Sequence, residues 1–182
     1  MQESEIKIID NYIPKEQADQ IADNMIGSAH TFPWFYHESV DFSYDRMGEL
    51  NVDDFLDNYQ FIHMFYSNWM IQSVWFDMLQ PITSKLNPIG WQRIKANLNP
   101  RTEKPVQYNY HTDYQSKNPY TKTAIWYVNS NNGVTFFKDG TVVESVANRI
   151  VIFPQLLYHT GTTCTDQKVR SVINFNYIDR DE

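Results

Sequence analysis

A strict alternation of polar and apolar residues stands near the middle of the chain, in the stretch Arg93-Ile94-Lys95-Ala96-Asn97-Leu98-Asn99. Successive side chains of a β-strand point to opposite faces, so this stretch predicts a strand with one apolar and one polar face. We expect the apolar face, Ile94, Ala96 and Leu98, to pack under helices. The polar face, which includes Asn97 and Asn99, is expected to line a hydrated cavity; a half-exposed strand is the alternative.

Helix signals precede this strand, and short β-prone runs separated by turn signals follow it. The first helix is predicted to begin at Pro14 and to end at Gly27, and the second to cover 71–86. Helices first and strands afterwards, without βαβ alternation, indicate an α+β fold. We therefore expect one domain over 1–182, with helical support in 1–90 and a β-barrel in 91–180. The predicted strands are 91–98, 106–111, 123–128, 134–137, 141–145, 149–153 and 169–178.

The composition argues against several classes of partner. A net charge of −7 does not suit a surface that grips phosphate backbones or anionic lipid. One cysteine, Cys164, cannot form an internal disulfide and fits a reducing compartment. The start of the chain is acidic where a signal peptide would be basic, and no apolar run approaches the roughly 20 residues of a membrane span. We expect a cytoplasmic protein (in the host cytosol if phage-encoded) that binds neither nucleic acid nor membrane; its oligomeric state is left open.

Two of the five histidines lie in surroundings typical of metal ligands. His111-Thr112-Asp113 ends a predicted strand, and residues i and i+2 of a strand point the same way, so both outer side chains can reach one ion. His159 follows an apolar run that Pro154 closes, where another strand should end. Two imidazoles and one carboxylate leave coordination positions open, as in non-haem Fe(II) oxygenases. We predict that His111, Asp113 and His159 hold a metal ion; a satisfied turn is the alternative for the triplet.

Arg170 stands at the start of the last β-prone run, eleven positions after His159. A guanidinium is an unusual neighbour for a core strand. It is explained if the interior of the barrel holds a carboxylate, which arginine can grip with two parallel hydrogen bonds. A solvated strand end is the alternative for this residue.

With these residues, the stretch from Arg93 to Ile178 resembles the double-stranded β-helix, a jelly-roll or cupin-like barrel, of the 2-oxoglutarate- and Fe(II)-dependent dioxygenases. It is most similar to the prolyl-4-hydroxylase-like branch, which includes small bacterial and phage proteins. Beyond the two histidines, the aspartate and the arginine, the resemblance rests on three further motifs, at Ile125–Asn129, Asn132–Thr135 and Arg149–Pro154.

The resemblance implies a role for each candidate residue. His111, Asp113 and His159 would bind Fe(II), Arg170 would anchor the far carboxylate of 2-oxoglutarate, and the Tyr127 hydroxyl would assist it. Lys168, on the same strand face as Arg170, is a rival anchor and a candidate for lining the pocket with Asn97 and Asn99.

The resemblance also implies an activity. Oxidative decarboxylation of 2-oxoglutarate to succinate would be coupled, with O2 and with ascorbate as a candidate reductant, to C–H hydroxylation. The partner would be a small-molecule or peptide substrate, such as a prolyl residue or a free amino acid. Halogenating relatives lack the metal-binding carboxylate, so Asp113 favours hydroxylation.

Three other interpretations stay open at this point. A nucleobase demethylase of the same superfamily would carry a second arginine six residues after Arg170, where this chain has Asn176. A catalytically silent cupin-like barrel would bind a metabolite without turnover. A structural zinc site would normally be closed by four ligands and richer in cysteine.

The acidic stretch Glu38–Asp57 is either a lid favouring a basic substrate or, more simply, a solvated loop.

Overall fold

The computed structural model describes residues 6–28, 31–40, 56–113, 118 and 120–180. Its helices are α1 (Lys15–Ile26) and α2 (Gln80–Leu86), with a 3₁₀ turn at Phe76–Leu79 directly before α2. None of the helices in these residues is long and apolar enough to cross a membrane. The strands are β1 (Lys7–Ile9), β2 (Phe35–His37), β3 (Gln60–Ser67), β4 (Met70–Ile71), β5 (Gly90–Pro100), β6 (Thr121–Tyr127), β7 (Val134–Phe137), β8 (Val142–Glu144), β9 (Ile150–Pro154), β10 (His159–Gly161) and β11 (Val169–Ile178).

The described strands form two antiparallel sheets. The larger sheet has the order β1-β9-β6-β11-β5-β3-β2, with β4 paired to β3, and the smaller sheet has the order β10-β7-β8. The hydrogen bonds leave two separate sheets, so these residues form no closed barrel. The α+β class is confirmed, and the barrel is corrected to two packed sheets.

Two apolar clusters lie on opposite faces of the larger sheet. On one face, Ile94, Ala96 and Phe175 pack with the buried side of α1, including Ile21 and Met25. On the other face, side chains of β6, β9 and β11 pack against β7 and β8 of the smaller sheet. The first cluster confirms the prediction that Ile94 and Ala96 lie beneath a helix, whereas Leu98 is buried but belongs to neither cluster.

The register between β5 and β11 shifts by one residue near one end of the pair. Arg93 pairs with Asn176, but the next pair is Trp91 with Tyr177, so Gln92 is an extra residue that makes a β-bulge. The rings of Trp91 and Tyr177 lie 5.8 Å apart in the apolar cluster under α1. Without the bulge, Trp91 and Arg93 would share a face, because residues i and i+2 do so in a regular strand. The bulge therefore lets Trp91 reach that cluster while Arg93 stays on the opposite face of β5.

The described residues of the first half of the chain are less helical than predicted. They contribute four strands, and β3 lies in the larger sheet between β5 and β2. The second helix begins at Gln80 rather than at residue 71, because a turn with positive φ at Asn68 and Trp69 returns the chain as β4. Pro14 is the N-cap of α1 rather than its first residue, whereas the end at Gly27 is as predicted. The sequence of β3 is rich in aromatic residues, which are typical of strands. The prediction of helical support over 1–90 did not take this signal into account.

The predicted strand 106–111 is also corrected. Only two isolated bridges, Gln107 with Thr162 and His111 with His159, join this segment to the residues around β10. It therefore runs beside the smaller sheet without forming a regular ladder. The acidic stretch Glu38–Asp57 lies mostly outside the described residues, since 41–55 are not among them.

Asn148 ties the N-terminal segment to the sheet and yields a test of the fold. Its side chain donates to the Ile13 carbonyl at 2.7 Å and accepts from the Ile13 amide at 3.0 Å, at a backbone φ of 62°. Asn148→Ala leaves both buried backbone groups without partners, so we expect the free energy of unfolding to fall by about 3 kcal/mol. Urea denaturation measures it.

The matched control is Asn68→Ala, because Asn68 has a similar φ of 51° but an exposed side chain. It should lose only about 1 kcal/mol, the cost of a left-handed alanine. Equal losses in the two variants would contradict the role assigned to the Asn148 hydrogen bonds.

Candidate functional site

The structure brings His111, Asp113 and His159 together. One potential ligand atom from each side chain lies within 4.8 Å of the other two. The two histidines are fixed by a backbone bridge, in which the amide of each donates to the carbonyl of the other at 3.0 Å. Their rings lie 4.9 Å apart, and His159 is almost fully buried.

Backbone contacts set the orientation of both imidazoles. The Nδ1 atom of His111 lies 3.1 Å from the Asn109 carbonyl, and that of His159 lies 3.1 Å from the Leu157 carbonyl. A carbonyl only accepts, so Nδ1 carries the proton in each ring and Nε2 keeps a free lone pair. This is how metal-binding histidines are held in many proteins.

A third contact set fixes the carboxylate of Asp113. Its Oδ1 accepts from the Arg93 guanidinium at 3.0 Å, and its Oδ2 accepts from the Asn176 amide at 3.0 Å. Asn176 also accepts from Arg93 and donates to Thr123, so these side chains form one network. The regular register of β5 with β11 places Arg93 opposite Asn176, and the bulge begins only beyond this pair.

The electrostatics of Asp113 and His159 favour the deprotonated form of each. Burial alone would raise the pKa of Asp113, but the charge of Arg93, the two imidazoles and the Asn176 hydrogen bond together hold this pKa well below its ordinary value. Burial lowers the pKa of His159, and the Asp113 carboxylate opposes this only in part. Two imidazoles and one carboxylate suit a divalent first-row metal with open coordination positions. The described residues supply three ligands, whereas a structural zinc site is closed by four.

A cavity of about 60 Å³ extends from the triad into the space between the sheets. Alternate residues of β5 form one wall, as the two-residue alternation predicted: Asn97 and Asn99 line the cavity, and so does Lys95. The other lining residues are Val40, Gln60, Tyr108, Ile125, Thr135, Gly161, Arg170, Val172 and Asn174, with the three residues of the triad.

Arg170 lies at the end of the cavity where β11 pairs with Asn99. Its guanidinium is buried and donates to the hydroxyls of Ser145 and Thr135, each at 3.0 Å. No carboxylate of the described residues forms an ion pair with it, although a buried charge is costly without a counter-ion.

The surroundings of Arg170 explain the glycine in the Asn132–Thr135 motif. A Cβ atom at Gly133 would lie 2.6 Å from the Arg170 Cδ atom, and one at Gly161 would lie 3.2 Å from Nη1. Glycine at these two positions therefore makes room for the arginine side chain.

Two predicted pocket residues are corrected. Lys168 is exposed, precedes β11 by one residue and does not line the cavity, because the chain has left the sheet at that point. Tyr127 is fully buried but does not line the cavity either. Its hydroxyl donates to Thr135 at 2.7 Å, so Thr135, which also accepts from Arg170, stands where the tyrosine was expected.

Other residues of the site were missed by sequence reasoning. Tyr108 lines the cavity, and its hydroxyl accepts from Asn99 at 3.3 Å. Thr135 already accepts two hydrogen bonds, so its own proton is free to donate into the cavity. Arg93 and Asn176 were assigned no site role, although parity puts Arg93 on the polar face of β5. The signal for Asn176 was weaker, because it is one of several polar residues in β11, with Arg170, Ser171 and Asn174.

Sequence comparisons and structural comparisons differ in outcome. No protein-family model and no curated protein sequence matches the chain. Solved structures do match. A prolyl-4-hydroxylase from Pseudomonas putida is 14% identical with a TM-score of 0.56, over 98% of this chain and 94% of that one. The epimerase SnoN of nogalamycin biosynthesis, an α-ketoglutarate-dependent non-haem protein, is 11% identical with a TM-score of 0.66, over 97% and 77%.

A prolyl hydroxylase from Trichoplax adhaerens, solved with a peptide of hypoxia-inducible factor, is 11% identical with a TM-score of 0.60, over 95% of this chain and 83% of that one. At these identities the similarity is one of fold. It confirms the predicted double-stranded β-helix architecture and its likeness to prolyl-hydroxylase-like structures.

The geometry of the triad predicts that the protein binds one divalent metal ion per chain. Asp113→Ala and His159→Ala each remove a ligand, so we expect either change to weaken Mn²⁺ binding by more than about 100-fold, beyond the 10–100-fold typical of indirect partners. Calorimetric titration measures the affinity. His37→Ala is the control, because its ring binds the Ser39 carbonyl outside the triad. Unchanged Mn²⁺ affinity in the Asp113 variant would refute the site.

Proposed function

We propose that this chain is an Fe(II)- and 2-oxoglutarate-dependent dioxygenase that hydroxylates a C–H bond. The observation that carries the proposal is the buried Arg170 guanidinium, which has no carboxylate partner among the described residues and shares a cavity with the triad. A metal site at one end and an unpaired cation at the other suit a ligand that chelates the metal and ends in a carboxylate. 2-Oxoglutarate is such a molecule.

The residues of the triad would hold the metal, and the network behind Asp113 would keep their geometry. When bound, Fe(II) would supply the redox chemistry that couples the oxidative decarboxylation of 2-oxoglutarate to succinate and CO2, which takes up one oxygen atom of O2, to insertion of the other atom into the C–H bond of the substrate, with ascorbate as a candidate reductant. Asp113 accepts from both Arg93 and Asn176, which leaves its orientation little freedom. No side chain is required to act as a general acid or base; the chain contributes positioning and exclusion of water.

Arg170 would bind the C5 carboxylate of 2-oxoglutarate. The Thr135 hydroxyl and the Tyr108 hydroxyl lie on the same cavity and can donate to the same carboxylate. Tyr127 would act indirectly, by holding Thr135 in place. A charge-assisted contact in a buried cavity is stronger than one in water, because the surroundings screen it less.

The proposed substrate is a prolyl residue or a free amino acid. Two of the similar structures are described as prolyl hydroxylases, and one of these was solved with a peptide. Others are described as an epimerase and a carbocyclase of nogalamycin biosynthesis, so the fold also accompanies small-molecule chemistry. We propose a small-molecule or peptide substrate in a chain that acts in the cytoplasm as a single catalytic domain. The carboxylate ligand Asp113 favours hydroxylation over halogenation.

The nucleobase demethylase interpretation fits the site poorly. The residue six positions after Arg170 is Asn176, and its side chain is committed to Asp113, Arg93 and Thr123. A silent metabolite-binding barrel has the same geometry as an enzyme and is separated from it by turnover. Incubation with Fe(II), O2 and 2-oxoglutarate should produce succinate, and Asp113→Ala should abolish it. Absence of succinate from the wild-type chain with a panel of peptides and amino acids would favour the silent barrel.

Arg170→Ala tests the cosubstrate assignment. Loss of a bidentate ionic contact of roughly 2–5 kcal/mol should raise the KM for 2-oxoglutarate by about 30-fold or more. Mn²⁺ affinity should hardly change, because a guanidinium only donates and cannot ligate a metal. Lys168→Ala is the matched control, since it removes an exposed cation two residues away. An Arg170 variant with the wild-type KM would show that the carboxylate binds elsewhere.

A further inference from the structure

Lys95 is a second cation in the cavity. It lies on the polar face of β5, lines the cavity with the triad and makes no hydrogen bond or ion pair with any of the described residues. Burial, and then the charge of Arg93, lowers the pKa of Lys95 to about 8, although Asp113 opposes this. A lysine in such surroundings is destabilising unless an anion joins it.

The strand register puts Lys95 near the metal end of the cavity. Lys95 pairs with Asn174, whereas Arg170 pairs with Asn99 at the other end. Asn174 is four residues along β11 from Arg170, a backbone distance of roughly 13 Å at about 3.3 Å per residue. On β5, the nearest residue of the same face is Arg93, which binds the metal-site carboxylate.

Asp113 attracts Lys95 electrostatically but forms no ion pair with it. The ion pair of Asp113 is with Arg93 at 3.0 Å, and Asn176 donates to its other oxygen at 3.0 Å. The next polar groups on the same wall are the side-chain amides of Asn97 and Asn174. Their NH2 groups can donate to an anion, whereas their buried Oδ1 atoms, which have no hydrogen-bond partner, cannot be satisfied by a carboxylate. This part of the wall therefore has a cation without an anionic partner and two amides that can donate beside it.

We propose that Lys95 binds the carboxylate next to the keto group of 2-oxoglutarate, so that the two ends of the cosubstrate are held by two different cations. This inference rests on the proposed function and extends it. Arg170 binds the far carboxylate, Lys95 binds the one that faces the triad, and the amide NH2 groups of Asn97 and Asn174 donate to the ligand between them. Lys95 is thus a cosubstrate-binding residue in addition to the metal.

The test compares four forms of the full chain loaded with Mn²⁺: wild type, Lys95→Met, Lys95→Arg and Lys104→Met. Methionine keeps much of the length of lysine without its charge, and Lys104 is an exposed control outside the cavity. Calorimetry with 2-oxoglutarate should give a Kd at least 10-fold weaker for Lys95→Met, a Kd near that of the wild type for Lys104→Met, and partial recovery for Lys95→Arg.

A second probe identifies the end of the ligand that Lys95 binds. 4-Oxopentanoate keeps the keto group and the far carboxylate but has a methyl group in place of the other carboxylate. In competition with 2-oxoglutarate it should bind Lys95→Met as well as it binds the wild type, whereas Arg170→Ala should bind it more weakly. Without ligand, Lys95→Met should melt at the same temperature as the wild type or higher, because it removes a buried unpaired charge.

The outcomes separate the two proposals. If the wild type does not bind 2-oxoglutarate, the proposed function itself fails. If the wild type binds it and Lys95→Met binds it equally well, only the assignment of Lys95 is wrong. An equal loss of affinity for both probes in Lys95→Met would also overturn the assignment, since it would place Lys95 at the far carboxylate or make its effect purely structural.

Discussion

The antiparallel pairing of β5 with β11 is the constraint on which the site depends. It runs from Val169 opposite Pro100 to Ile178 opposite Gly90. One face of this pair packs under α1, and the other carries every polar side chain that lines the cavity from these two strands. Because a slip of one residue would exchange the two faces, the apolar cluster and the candidate site hold the register in place together.

The two arginines of the cavity region show two ways to bury a guanidinium. Arg93 is neutralised by Asp113 and braced by Asn176, which turns a charge into support for the candidate metal site. Arg170 is surrounded by hydroxyls, which accept its hydrogen bonds without cancelling its charge. The first arrangement neutralises the guanidinium charge without a ligand, whereas the second leaves that charge available to attract an anion. The buried charge of Arg170 therefore lowers the stability of the protein while no anion is bound.

Local sequence patterns correctly predicted the features that depend on strand alternation and on helix-ending residues. The alternation of 93–99 gave both faces of β5, and the glycine after α1 gave the end of that helix. The same rule could not place Trp91, because a bulge depends on the partner strand and leaves no mark in its own sequence. Tyr127 lies on the predicted strand and carries a hydroxyl, but the hydroxyl that reaches the cavity is that of Thr135, to which Tyr127 donates. Which of the two hydroxyls faces the cavity depends on packing between distant segments, which the local sequence does not reveal.

Arg170 and Asn176 share one face of β11, six residues apart, which sets roughly 20 Å of backbone between the anchor and the support of the triad. This distance can change only in steps. One inserted residue would turn one of the two side chains into the apolar cluster, and two would lengthen the interval by roughly 6.6 Å, about the length of a small dicarboxylate. Insertions in this strand therefore cannot adjust the cavity finely. A descendant of this chain that adapts to a longer or shorter ligand must do so by exchanging side chains, while the number of residues in the strand stays the same.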